Sequence, residues 1–274
     1  MSTAAAAESA VRQVAPWVEH LARLGYAAKG ILYITVGLLA SQAAIGRPAR
    51  TVDTQGALRV VHQMSFGRVA LLVIALGLIG YAVWRMVEAI VDPDGRGTGL
   101  KGVALRISFA VRGLAHAALG VTAIRLALHT HSGSHSDQTR HWTARAFELP
   151  GGELLVWAGE IGVGGYGLYQ FYRAYAAKLS RQLNLSRLSP GMLRWIVGVS
   201  RFGMAARGVV FCLIGYLLAH AAAKHNAAEA GGVRRSLGLL AGLGRWPFVV
   251  VAAGLMAYGV YELLNARYRQ IQVA

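Results

Sequence analysis

Arg23-Leu-Gly-Tyr-Ala-Ala-Lys29-Gly30 opens a long apolar run, and the chain writes this stretch three times. It returns as Arg106-Ile-Ser-Phe-Ala-Val-Arg112-Gly113 and as Arg201-Phe-Gly-Met-Ala-Ala-Arg207-Gly208. Each copy has a basic residue, a second cation six positions on, then a glycine, and a further glycine seven later at Gly37, Gly120 and Gly215. A second element repeats as well. Gly77-Leu-Ile-Gly-Tyr81-Ala-Val-Trp84 matches Gly162-Val-Gly-Gly-Tyr166-Gly-Leu-Tyr169 and Gly254-Leu-Met-Ala-Tyr258-Gly-Val-Tyr261. The chain is therefore three tandem units, each a pair of apolar segments, and this repeat decides the architecture before any local pattern does.

The solvent for such units follows from composition. Hydrophobic residues make up 55% of the 274 and charged residues only 15%, with a mean hydropathy of +0.44. That leaves too little polar surface to coat a water-soluble globule, so a bilayer is expected. The net charge of +16 does not point to nucleic acid, because the cations sit at the ends of apolar runs and no nucleic-acid motif accompanies them. Cys212 is the single cysteine, which excludes an internal disulfide and reads as a small packing residue within its apolar run. The first fifteen residues are Ala-rich but too short and too weakly basic for a signal peptide.

The expected fold is all-α: six transmembrane helices arranged as three tandem hairpins with pseudo-threefold symmetry about the membrane normal. A two-helix unit returns the chain to its starting side, so the copies share one orientation. Residues 1–22 form a polar head with an amphipathic piece around Trp17, 23–105 the first unit, 106–200 the second with a basic connector, and 201–274 the third. The spans fall near 24–44, 69–91, 107–128, 154–174, 202–223 and 248–266. Ala57–Met64, apolar on one face, reads as a short helix on the outer surface. The repeated glycines of each first helix are expected to face those of the second helix in the same hairpin, because close approach at small residues carries packing in lipid. Of the 28 Lys and Arg residues, 17 lie on the side of the termini and the connectors. The positive-inside bias then predicts both termini in the cytoplasm.

The tripled Arg-x-Gly/Ser-x-Ala-x-Lys/Arg-Gly helix, followed by Gly-x-x-Gly/Ala-Tyr-Gly/Ala-Val/Leu-Trp/Tyr, resembles the DUF1206 family of bacterial integral membrane proteins. The resemblance covers roughly residues 21–267. It implies a six-helix protein of the bacterial cytoplasmic membrane with no assigned biochemical role, and it supplies no catalytic residues to transfer. The middle unit departs most from the pattern. Ser108 replaces glycine, His116 stands where the others have Tyr33 and Phe211, and Leu149-Pro150-Gly151-Gly152 replaces Ser65-Phe66-Gly67-Arg68. If one unit is specialised, it is this one.

Three groups of residues carry candidate chemistry. Lys29, Arg112 and Arg207 lie about 9 Å inside their repeat arginines. They either snorkel or pair with Glu88 and Glu262, or form a ring around the threefold axis that holds an anionic headgroup or selects an anion. Glu160, where the other units have Ala75 and Ala252, falls at the depth of His116. The two form a hydrogen-bonded packing pair, a proton- or ligand-handling site, or no contact. His129, His131, His135, Asp137 and His141 form a polar outer loop that reads as solvated chain, as a Zn²⁺ or Cu²⁺ site, or as a pH sensor. Their spacing matches no closed structural metal site. Asp92-Pro-Asp94-Gly starts like a calcium loop but lacks the later ligands, so it reads as a turn.

No enzyme signature is present, whether phosphate loop, His-Glu-x-x-His, Gly-x-Ser-x-Gly or dinucleotide fingerprint, and no cofactor is expected. Two functions stay open. One is a structural or accessory membrane protein that binds lipid, anionic lipid included, or a membrane partner or second copy of itself through its cationic inner face. The other is a small transporter or channel lined by the Glu160 and His116 site or by the cation ring.

Overall fold

Apolar runs of this length can satisfy their backbone within lipid only as helices. The computed structural model, which describes residues 3–44, 53–92, 97–128, 138–176 and 188–269, is all-helical. In chain order the α-helices are α1 (Thr3–Ala44), α2 (Thr54–His62), α3 (Gly67–Ile90), α4 (Leu100–Ala127), α5 (Gln138–Phe147), α6 (Gly152–Ala176), α7 (Pro190–Ala223), α8 (Val233–Gly242) and α9 (Arg245–Tyr268). Each unit thus runs long, short, long. The first short helix follows the expectation for residues 57–64: Asp53 caps it by accepting the Gly56 N–H at 2.6 Å, and it buries Ala57, Leu58 and Val61. The other two were not anticipated. In α8 the signal was present, since Leu237 and Leu240 recur at helical spacing and are buried.

Five helices among the described residues are long and apolar enough to cross a membrane: α1 over Glu19–Ala44, α3, α4 over Gly102–Ala127, α7 and α9. The sixth expected span, α6, is not among these five. That helix has the length, 25 residues, but Glu153, Glu160, Gln170 and Arg173 interrupt its apolar run. Two boundaries also differ from expectation. The piece around Trp17 continues without a break into α1, and α7 begins at Pro190, with Ser189 accepting the Met192 N–H as its cap. At 34 residues α7 is about 51 Å long, well beyond the hydrocarbon thickness.

The long helices pack side by side in the order α4, α3, α1, α9, α7, α6, so the first and last in sequence are neighbours. The repeated glycines explain the order, though not as expected. They do not face their own hairpin; they face the adjacent unit. A Cβ on Gly30 would lie 2.9 Å from Gly259 O of α9, one on Gly113 3.2 Å from Ala82 O of α3, and one on Gly208 3.0 Å from Gly167 O of α6. Residues 82, 167 and 259 are equivalent repeat positions, so one contact is made three times. Such close backbone approach is the packing force available where lipid removes the hydrophobic one.

Inside a hairpin a different glycine closes the pair. A Cβ on Gly25 would come to 2.4 Å from Tyr81 Cβ, and one on Gly203 to 2.4 Å from the Tyr258 nitrogen. Their counterpart in the middle unit is Ser108. There the hairpin does not close: a Cβ on Gly159, Gly162 or Gly165 of α6 would meet nothing within 4 Å. The helices α4 and α6 stand apart around a cavity of about 650 Å³.

The hairpin-loop end of the molecule is tied by ions. Glu229 accepts from Arg235 Nη2 at 2.9 Å and lies 3.5 Å from Lys224 Nζ. The Arg235 hydrogen bond, and then the Lys224 charge, hold the Glu229 carboxyl below the usual carboxylate range. A depressed pKa contributes order that is complete above that range and is lost as pH falls through the group's own titration. The Glu229→Gln variant should therefore exchange its first-turn amides of α8 about two- to fivefold faster at neutral pH, as for an exposed pair. Below the titration of Glu229 the difference from the parent should vanish. Equal exchange rates at neutral pH would show the ion pair to be idle.

Candidate anion-binding site

The first helix of each unit carries its inner cation one turn from a ring, and the second helix carries its repeated tyrosine opposite. Where the units meet, these groups converge. Lys29, Arg112 and Arg207 all line one small polar cavity of about 30 Å³, room for a water-sized group. The cations the sequence singled out are thus brought together.

Their partners differ. Lys29, buried, donates from Nζ to Glu262 Oε1 at 2.8 Å and to Tyr81 OH at 3.3 Å. Arg207, equally buried, has no carboxylate in hydrogen-bond contact among the described residues. It donates to Tyr33 OH at 3.1 Å, Tyr166 OH at 2.8 Å and Tyr258 OH at 3.1 Å, one tyrosine from each unit. Arg112 is half-buried and turns back on its own helix, donating to Ser108 O at 2.9 Å and Ser108 Oγ at 2.8 Å. Its guanidinium carbon lies 4.9 Å from the Phe109 ring centre and 5.6 Å from that of Tyr166.

Further cations complete the cavity. Arg85 pairs with Glu88 and donates to Tyr81 OH at 2.7 Å and Tyr26 OH at 3.2 Å. Arg173 donates to Tyr261 OH at 3.1 Å. Arg269 lies with its guanidinium carbon 5.1 Å from the Tyr26 ring centre and reaches Glu88 at 4.0 Å. Six cations therefore surround this void; among the described residues Glu262 contacts Lys29, and Glu88 contacts Arg85 and Arg269. Glu262 also accepts from Tyr258 OH. A buried charge without its opposite is costly, and hydroxyl dipoles offset only part of that cost. Guanidinium forks are the side chains whose geometry matches an oxyanion, and five of the six cations are arginines.

Charge was legible at Lys29, Arg112 and Arg207, and Glu262 was a foreseen partner of Lys29. Glu88, the other, is taken by Arg85. The contribution of Arg85, Arg173 and Arg269 was missed, and the repeated tyrosines read only as packing residues. Their signal was available: a tyrosine retained at 81, 166 and 258 in otherwise apolar helices needs a partner for its hydroxyl.

His116 and Glu160 are not brought together, since no hydrogen bond or ion pair joins them. The His116 Nδ1–H donates to Arg112 O at 2.7 Å, and its ring centre lies 4.7 Å from that of Tyr81. Glu160, half-buried on α6, points Oε1 forward along its helix to 3.4 Å from where a Gly164 Cβ would sit. Of the outer-loop group, His129, His131, His135 and Asp137 lie outside the described residues. His141 sits on α5 beside Trp142, ring centres 6.1 Å apart. Among the described residues no cluster of three or more metal-ligating side chains forms. At the turn after α3, Asp92 Oδ2 accepts the Gly97 N–H at 2.9 Å; Pro93 to Arg96 lie outside the described residues. Cys212 packs between α7 and α6, Sγ 4.0 Å from Gly164 O.

Three like units of apolar helices, joined through glycines around buried cations, define a repeat-built multi-helix membrane protein. The model of the family described as Domain of Unknown Function (DUF1206) matches this chain three times, over residues 24–92, 107–177 and 202–269, and the chain belongs to that family. It is 29% identical over 262 residues to the protein named "Uncharacterized protein YxxB" of Bacillus subtilis (strain 168), covering 95% of this chain and 94% of that one. No solved structure matches it.

Proposed function

We propose that this is an accessory protein of the bacterial cytoplasmic membrane that binds an anionic group in the central cation cluster and performs no chemistry on it. In this reading α6 is the sixth spanning helix, its polar residues turned toward protein rather than lipid. The three hairpins are related by rotation about the membrane normal, as the thrice-made glycine contact supports. Both termini lie in the cytoplasm, with the cations in the inner third of the bilayer, where lipid phosphates are close. The observation that carries the reading is Arg112. It is half-buried on the cavity wall, and its hydrogen bonds go only to its own helix, so its charge is available to a ligand. Glu160 does not line the cation cavity, which favours holding an anion over conducting one past a central carboxyl.

The test uses protein in a neutral maltoside detergent, titrated calorimetrically with inorganic phosphate. The parent should bind, and Arg112→Gln should weaken binding at least about tenfold, the worth of one or two hydrogen bonds to a charged group. Because Arg112 ties no second helix by hydrogen bonds, this variant should keep the parent's melting temperature. Absence of phosphate binding by the parent would remove the proposal.

A further inference from the structure

The cation cavity is not sealed on all sides. Lys29, Arg112, His116, Tyr166 and Arg207 also line the larger cavity between α4 and α6, so the polar void is the inner end of that cleft. The rest of the cleft is apolar, with walls such as Ile107, Val111 and Leu119 on α4 and Val163 on α6. Along α4 its lining runs from Ala104 to Leu119, about 22 Å at the helical rise. At the far end Thr54 of α2 and Val233 of α8 roof it.

The opening is confined to one unit, and that unit differs at the closing position. Gly25 and Gly203 allow the first and third hairpins to close, while Ser108 stands at that position in the second. Ser108 lines the cleft and anchors Arg112 at its edge. The residue at the closing position of the opened hairpin is therefore also the one that presents the cation.

We propose that this cleft is a lateral opening for an anionic phospholipid. One acyl chain lies between α4 and α6, and the phosphate reaches Arg112 and Arg207 from the side. This rests on the anion-binding reading above and assigns its ligand. Charge complementarity selects the occupant. In a bilayer an apolar cleft gains little from taking up one chain rather than another, since lipid tails are as apolar as its walls. Discrimination then falls to the head, which meets a cluster of cations at the inner end. A soluble anion would have no use for the apolar length of the cleft. A neutral lipid would leave the guanidinium groups without an opposite charge.

The experiment compares dodecyl phosphate, referred to its mole fraction in the micelle, with inorganic phosphate. It uses the parent, Gly162→Trp, Ala115→Trp and Arg112→Gln. Gly162 and Ala115 border the cleft, and a Cβ at Gly162 would meet nothing within 4 Å, so tryptophans at these two positions are placed to occupy the cleft. Expected is at least tenfold tighter binding of dodecyl phosphate than of inorganic phosphate by the parent. Both tryptophan variants should lose that advantage while keeping inorganic phosphate binding, and Arg112→Gln should weaken both. In a second arm, protein from phosphatidylcholine nanodiscs doped with phosphatidylglycerol is analysed by native mass spectrometry. The parent should retain one phosphatidylglycerol that the tryptophan variants lose. If the alkyl chain adds nothing, or the filled variants bind it like the parent, the lipid assignment fails while the cation site stands. If Arg112→Gln leaves both ligands unaffected, the site itself fails and the assignment with it.

Discussion

Gly254→Leu will lower the melting temperature in detergent by about 5–10 °C, whereas Gly162→Leu, the same change at the equivalent position of the middle unit, will leave it unaltered. The difference is geometric. A Cβ on Gly254 would stand 2.2 Å from Ala206 Cβ on a helix that cannot retreat without parting the third hairpin, while one on Gly162 meets open space. Overpacking of this kind costs about 1–3 kcal/mol, and more when the clash is with a rigid helix. Gly77, with Leu24 O only 2.8 Å from its would-be Cβ, should behave like Gly254. Equal losses at all three positions would mean that the second hairpin is closed like the others, and the cleft would disappear from the account.

The second large effect is expected at the buried ion pair between α1 and α9. Glu262→Ala should cost about 3–5 kcal/mol, because Lys29 is left buried among cations with its carboxylate gone. Lys29→Met combined with Glu262→Met should recover most of that loss, since an apolar pair needs no compensation in this environment. A double-mutant cycle on melting in detergent reads the coupling directly. Should the two single losses simply add in the double variant, Lys29 and Glu262 would not be acting as a pair.

Much of the fold was readable because one pattern was written three times. The repeat gave the helix pairs and the convergence of Lys29, Arg112 and Arg207. What the repeat could not give was which helix sits beside which. Gly30 and Gly37 look the same whether they meet α3 or α9, because small residues fix closeness and not partner. The opened hairpin was half visible. Ser108 stood out as a departure, but its effect depends on Gly25 and Gly203 being closing contacts, which only three dimensions display. Glu160 misled for the opposite reason. Its depth matched that of His116, yet depth along a helix says nothing of azimuth, and its carboxyl turns toward Gly164 instead. In α6 Glu160 was singled out, whereas the residues of that helix that border the cation cluster are Tyr166 and Arg173.

The adjacency of α1 and α9 bears on how the molecule is made. Lys29 is translated 233 positions ahead of the carboxylate that neutralises it. For nearly the whole of synthesis, the leading helix therefore carries an ammonium group with no counter-ion into the bilayer, where such a charge is expensive. Lys29 and Glu262 can pair only once the ribosome has made the final helix. A premature stop upstream of Glu262 thus damages the beginning of the protein as well as its end, and quality control should clear such fragments whole.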